Sequence, residues 1–500
     1  MTTISKTLSR LGAATLAAGL ILSGPALAAP QPVYEKVDPA SVAPQAPKLP
    51  DISGYTVEAV RERMPKTSRK SAKVELVAME KDEYLQKFVE GEQGDALAEA
   101  QRGEDEVEAI VIREGTISLK QLVDEVDTKA RIKRDDETVW LSRPLLIGPG
   151  ATLVVNGRET ERVRLGPGAP IINAGTLYIV DAKVTSWDSK TKKPIRDADE
   201  YRPFIAARSG SETYIAGSDI GHLGFDQSKS YGLSFVSGPD DVAKDAKPPR
   251  GWIVGNTIHN LHYGFYSYEA EDVAIVGNTW RDNIVYGIDP HDRSRRLIIA
   301  KNLVEGTQEK HGIVTSREVT DSFIFANETR KNAGSGIVLD RQSNRNVIAD
   351  NVVAANTGDG IALFESSQNM LWGNRIEGNA NDGIRVRNSV EVTVAKNTIA
   401  GNKGDAFELA TDPLSDQDRD TKLDPFEERA VVAFGGNTLS GNGESAIDAG
   451  PFTELTLWSF QAEGTPIQIF AGELEEIAQQ LLGLLVADDD GAVKVRLQEG

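Results

Sequence analysis

Residues 286–296 read YGIDPHDRSRR, which sets His291 between Asp289 and Asp292 with arginines at 293, 295 and 296. Only five histidines occur in the 500 residues. A neutral imidazole beside a carboxylate is a Brønsted base, because the partner fixes the tautomer and raises the basicity. A lone exposed histidine is more often inert. The chemistry therefore depends on what the fold sets next to His291.

The elements that must position it are repeats. An asparagine recurs at 256, 278, 302, 327, 351, 374 and 397, at intervals of 22 to 25 residues. The triplets Tyr263-Gly264-Phe265, Tyr286-Gly287-Ile288, His311-Gly312-Ile313, Ser335-Gly336-Ile337, Asp359-Gly360-Ile361 and Asp382-Gly383-Ile384 keep step with it. Each period holds short β-branched stretches split by Gly, Asn and Asp turns, with no room for a helix of ordinary length. This pattern predicts an all-β fold, a right-handed parallel β-helix; leucine-rich repeats have a similar period but need a leucine framework that is absent. The asparagines are expected to hydrogen-bond from coil to coil and to be scaffold.

The solenoid is expected over residues 135–455, since GPGATLVVNG and NAGTLYIVDA already repeat at 24 residues. Residues 29–134 are expected to form a Pro-rich flexible arm, to about residue 60, and then a small α/β cap. Residues 456–500 read as a second cap containing a helix in GELEEIAQQLLGLLVA. Asn397 and Asn437 are 40 residues apart, and the excess over one period falls in an acidic stretch, 412–428, expected to project as a loop.

Stacked coils turn equivalent positions into ladders about 4.8 Å apart. Counted from each triplet glycine, the first and third following residues point inward and the second and fourth outward. The second column reads Tyr266, Asp289, Val314, Val338, Ala362, Arg385; the fourth reads Tyr268, His291, Ser316, Asp340, Phe364, Arg387. The fifth, at the strand end, reads Glu269, Asp292, Arg317, Arg341, Glu365, Asn388. His291 is thus expected to face solvent beside Asp289, with Arg317 one coil away. Arg341, Arg385 and Arg387 extend that face, flanked by Tyr266 and Tyr268, as a surface for a long acidic chain. The plainer alternative is that these arginines pair with nearby carboxylates and bind nothing.

A uronate in a polymer has an acidic C–H at C5, beside its carboxylate. Removing that proton builds enolate charge, which an arginine on the carboxylate offsets while the imidazole takes the proton. Return of a proton to the opposite face gives epimerisation; loss of the C4 oxygen gives a polysaccharide lyase. A non-catalytic export scaffold that holds the polymer is a third reading.

The first residues bear on compartment. Lys6 and Arg10 precede an apolar stretch, Leu11 to Leu22, and Ala26-Leu27-Ala28 offers a signal-peptidase site, so residues 1–28 read as a cleaved leader. No later stretch is apolar for the roughly 18 residues of a membrane span. Loss of Lys6 and Arg10 takes the formal charge from −20 to −22, which argues against nucleic acid or an anionic membrane as partner. In the acidic stretch, Asp416, Asp418, Asp420, Asp424 and Glu427 fall at positions 1, 3, 5, 9 and 12 of an EF-hand-like spacing, although Thr421 replaces the usual glycine. A structural calcium ion and a solvated acidic loop are the two readings there.

Asp289-Pro290-His291-Asp292, within glycine-punctuated coils behind a leader, resembles the periplasmic mannuronan C5-epimerases of alginate-producing bacteria. The resemblance implies conversion of D-mannuronate to L-guluronate in the polymer, in the periplasm, alongside proteins of an alginate export complex. It implies His291 as the base, Arg317 as the residue that neutralises the carboxylate, and Asp289 and Asp292 as necessary members of the motif. The returning proton is expected from water, with Tyr266 or Tyr268 as alternatives. Secreted alginate epimerases carry calcium-binding nonapeptide repeats, which this chain lacks, so no cofactor is expected in catalysis.

Overall fold

The computed structural model describes residues 31–498 apart from 69–71, 89–90, 101–106, 127–131, 228, 238–245, 416–419, 423, 465–467 and 487–490. The predicted leader lies outside the described residues. Each coil contributes three short strands to three parallel sheets. In one coil these are Tyr286–His291, Ile298–Ala300 and Leu303–Glu305, and each pairs in parallel with its counterpart one period on. We call the sheet of Tyr286–His291 the groove sheet, that of Ile298–Ala300 the arm sheet and the last the third sheet.

Inward positions stack like on like. Phe265, Ile288, Ile313, Ile337, Ile361, Ile384 and Phe407 of the groove sheet are all fully buried, each contributing about 1.5–3 kcal/mol of burial. The asparagine ladder closes the polar side of the coils. Asn302 donates its backbone N–H and its Nδ2 to Asn327 Oδ1 at 3.0 and 2.9 Å, and donates Nδ2 also to Ile275 O at 2.8 Å. A second ladder, Asn332, Asn356, Asn379, Asn402 and Asn442, runs beside it on the next turn with the same pattern.

Parallel pairing extends beyond 135–455 at both ends. Glu108–Ser118 already pairs in parallel with Leu145–Ile147 and Ala151–Asn156. At the other end Gln461–Glu463 and Gln468–Gly472 still stack in register. An eleven-residue strand that serves two sheets carries no 24-residue echo, so the repeat count missed it.

Residues 29–60 are not a flexible arm along their described length. Gln31–Val37 pairs antiparallel with Ala492–Gln498, which itself runs antiparallel to Glu454–Trp458 and covers the last edge of the arm sheet. The chain then travels back over the arm sheet to a helix, Val57–Arg63, capped by the Thr56 hydroxyl. The cause is an outer sheet face of Val180, Ala216, Val254, Val276, Phe325 and Ala349 that needs cover; Val60 is fully buried against it. Arg61 fixes the helix with a two-pronged bond to Asp181, at 2.9 and 2.7 Å. A helix, Ala478–Val486, lies in the C-terminal cap.

Candidate active site

The groove sheet sets the columns in the predicted register. His291 stands opposite Tyr268 on one side and Ser316 on the other; Ser316 then faces Asp340, Asp340 faces Phe364, and Phe364 faces Arg387. Asp289 faces Tyr266, and Arg385 lies in that column opposite Ala362. At the end of each strand the fifth column bends. Glu269, Asp292, Arg317, Arg341, Glu365 and Asn388 all have left-handed φ, between 34° and 59°. That conformation costs a non-glycine residue roughly 1–3 kcal/mol, and it swings these side chains out of the strand line along the rim of the groove.

Two expectations about exposure need correction. Asp289 points away from the core yet is 1% exposed, and the residues that continue its column, Val314, Val338 and Ala362, are buried beneath Tyr286 and Phe364. Period-two alternation names the face of a side chain and is blind to aromatic rings that cover the face. His291 is likewise only 23% exposed at its side chain.

The electrostatics follow from that burial. Neither carboxyl oxygen of Asp289 has a hydrogen-bond partner among the described residues. Burial pushes its pKa up to about 7, against the opposing pull of His291. Asp292 accepts a hydrogen bond from His291 Nδ1, which puts the ring proton on that nitrogen and leaves the Nε2 lone pair for a substrate. Burial disfavours the charged ring, but the bond to Asp292 and the charges of Asp289 and Asp292 outweigh it, so the His291 pKa lies above its ordinary value. Arg317 is half-exposed, with Nη1 4.0 Å from Asp292 Oδ1.

A cleft of about 230 Å³ opens here, lined by Tyr286, Asp289, His291, His311, Arg341 and Arg387 among others. Tyr286 and His311 were missed from sequence, though they are the residues before the glycines of two repeated triplets. That position makes a ladder of its own: Tyr263 stacks on Tyr231 at 4.3 Å and meets Tyr286 at 5.1 Å, and Tyr286 stacks on His311 at 6.0 Å. Burial drives the His311 pKa down to about 4, and its Nδ1 accepts the Ser335 N–H at 3.0 Å, so this histidine is neutral.

The remaining predicted residues are dispersed along the groove. The Tyr266 ring lies 5.7 Å from that of His291. Tyr268 accepts from Arg293 Nη2 at 2.7 Å. The expected arginine run is held by the chain's own carboxylates. Arg385 Nε is 2.8 Å from Glu408, and Arg387 Nη2 is 2.8 Å from the buried Glu365. Arg341 Nε is 3.4 Å from both Asp340 and Asp424. Of the calcium-like set, Asp416 and Asp418 lie outside the described residues. Asp420 accepts the Lys422 N–H at 3.0 Å, Glu427 pairs with Arg429 at 3.4 Å, and Asp424 faces Arg341. Among the described residues no group of three His or acidic side chains could hold a metal ion.

Comparison with known proteins fits this geometry. Residues 318–415 match the model of the right handed beta helix region, and residues 226–356 match that of the periplasmic copper-binding protein NosD. A mannuronan C5-epimerase of Pseudomonas putida is 39% identical over 449 residues, covering 88% of this chain and 86% of the relative. The mannuronan C5-epimerase AlgG of Azotobacter vinelandii is also 39% identical, over 88% and 85%. The crystal structure of the periplasmic alginate epimerase AlgG superposes with a TM-score of 0.77 at 36% identity, covering 86% of this chain and 99% of that one. The chain belongs to the mannuronan C5-epimerase family, and its fold is a right-handed parallel β-helix.

Proposed function

We propose that this periplasmic isomerase turns mannuronate into guluronate within alginate by taking the C5 proton with His291 Nε2. The observation that carries the reading is the His291–Asp292 hydrogen bond in a cleft with Arg317 one coil along. Asp292 holds the imidazole in the tautomer whose free nitrogen faces the sugar. Arg317 closes on the substrate carboxylate and offsets the charge that builds as C5 loses its proton. Asp289, neutral or charged according to pH, raises the basicity of His291 when ionised. The returning proton comes from water or from Tyr266, whose hydroxyl burial keeps protonated. Tyr266, Tyr268, Arg341, Arg385 and Arg387 hold neighbouring sugars along the groove.

The proposed contacts run along the coil axis, from Tyr268 beside His291 to Arg387 four coils on. That layout suits a polymer in transit and supports work beside the proteins of a periplasmic alginate export complex; copurification from the cell envelope tests it. The chemistry is tested in deuterated water with polymannuronate and proton NMR. Guluronate formed by the wild type should carry deuterium at C5, and kcat/KM should rise as pH passes the raised pKa of His291, because only the neutral ring is a base. Protonated guluronate, or an unsaturated uronate as the main product, would overturn the assignment.

A further inference from the structure

The acidic stretch 412–428 does not simply project. Asn388 ties its first residue down: Asn388 Nδ2 donates to Asp412 O at 2.6 Å, and the Asp412 N–H donates to Asn388 Oδ1 at 2.8 Å. Leu414 is buried at 6% exposure. The returning limb crosses to the coil of Arg341, where Gln342 Nε2 donates to Pro425 O at 2.7 Å and Asp424 Oδ2 stands 3.4 Å from Arg341 Nε. Arg341 and Gln342 are both left-handed, with φ of 52° and 62°, at the rim that this limb meets. The Asp424 side chain is only 16% exposed. Arg341 also lines the cleft that holds His291. A cleft arginine, 3.4 Å from Asp340 beside it in the chain, is therefore also met at 3.4 Å by a carboxylate delivered from an insert interrupting a coil far along the chain.

A uronate polymer brings one carboxylate per sugar, and a carboxylate that binds Arg341 must compete with that contact. We propose that Asp424 sets the affinity of the groove for polyuronate: it occupies Arg341 when the groove is empty and yields it to a substrate carboxylate. The reading rests on Arg341 as a polymer-binding residue. The exchange is charge for charge, so the guanidinium is never left bare and a neutral chain gains nothing from displacing the insert. The consequence is weaker binding at this subsite and readier release.

Asp424→Asn keeps the size of the side chain and removes its charge. At low ionic strength it should lower KM for polymannuronate roughly two- to fivefold, the range of a partly exposed ion pair, with kcat within about twofold. Arg341→Ala should raise KM, and the double variant should match Arg341→Ala alone, because Asp424 acts through that arginine. An Arg341→Ala variant of unchanged KM would remove the binding role of Arg341 and the proposal with it. A raised KM in Arg341→Ala together with an unchanged or raised KM in Asp424→Asn would overturn the proposal alone. A KM that still falls on adding Asp424→Asn to Arg341→Ala would also overturn it, by showing a general charge effect.

Discussion

Two kinds of polar ladder run along this solenoid, and they are built on opposite terms. In the asparagine ladder the same residue recurs in each coil, and each buried amide finds its partner in the next: Asn351 Nδ2 reaches Asn374 Oδ1 at 3.0 Å, and Asn374 reaches Asn397 at 2.9 Å. In the groove columns the residue changes at almost every coil, and the deepest polar group, Asp289, has no hydrogen-bond partner among the described residues. Repetition satisfies buried polar groups because each coil solves the problem for the one beside it. A site breaks the repetition, and the cost is seen in the raised pKa of Asp289.

The sharpest way to test this contrast is to cut each ladder. His291→Asn should abolish epimerisation and exchange of the C5 hydrogen, a loss beyond about 10³-fold, with an unchanged circular dichroism spectrum. A folded variant that still makes wild-type guluronate would put His291 outside the chemistry. Arg317→Lys keeps the charge but loses the planar fork, and should cost about 10² to 10³ in kcat, again without unfolding.

The scaffold ladder should behave in the reverse way. Asn351→Ala strands buried donors and acceptors on both neighbouring coils, so it should cost about 2–4 kcal/mol of stability by denaturant titration while kcat per folded molecule stays near wild type. A large loss of kcat with unaltered stability would blur the two ladders.

The most specific test depends on pH. Asp289 has a folded pKa of about 7, above the roughly 3.9 of an unfolded aspartate, so the native state holds the proton more tightly. Its stabilising contribution is present below about pH 4 and is lost as pH rises through about 7. Asp289→Asn should therefore gain stability over wild type at pH 8 and little at pH 4, compared by thermal unfolding. An equal difference at both pH values would mean that Asp289 is not the buried acid described here.

The repeats made the parallel coils legible, since glycine and asparagine periods give register directly and register gives the columns. That is why the sequence alone aligns His291, Ser316, Asp340, Phe364 and Arg387 in the order in which they pair. Burial of Asp289 was not legible, because the column order carries no sign of the tyrosines that its charge reaches, Tyr263, Tyr266 and Tyr286. The carboxylates that hold Arg385 and Arg387, Glu408 and Glu365, come from adjacent coils, and which of them an arginine reaches is set by distances that column order alone does not give. The path of residues 38–64 across the arm sheet could not be read, since an extended proline-containing segment carries no period of its own.

The pairing of Gln31–Val37 with Ala492–Gln498 has a consequence in time. A chain that enters the periplasm from its N-terminus delivers the first of these strands early and the second at the very end. Coils can stack one on another as they emerge, each needing only its predecessor, but the opening strand must wait for nearly the whole chain before it has a partner. Closure of the molecule is thus a test of whether synthesis and translocation ran to the end. A chain cut short before residue 492 would leave the edge of Glu454–Trp458 unpaired and the strand Gln31–Val37 unclaimed, both open to proteases and to other chains.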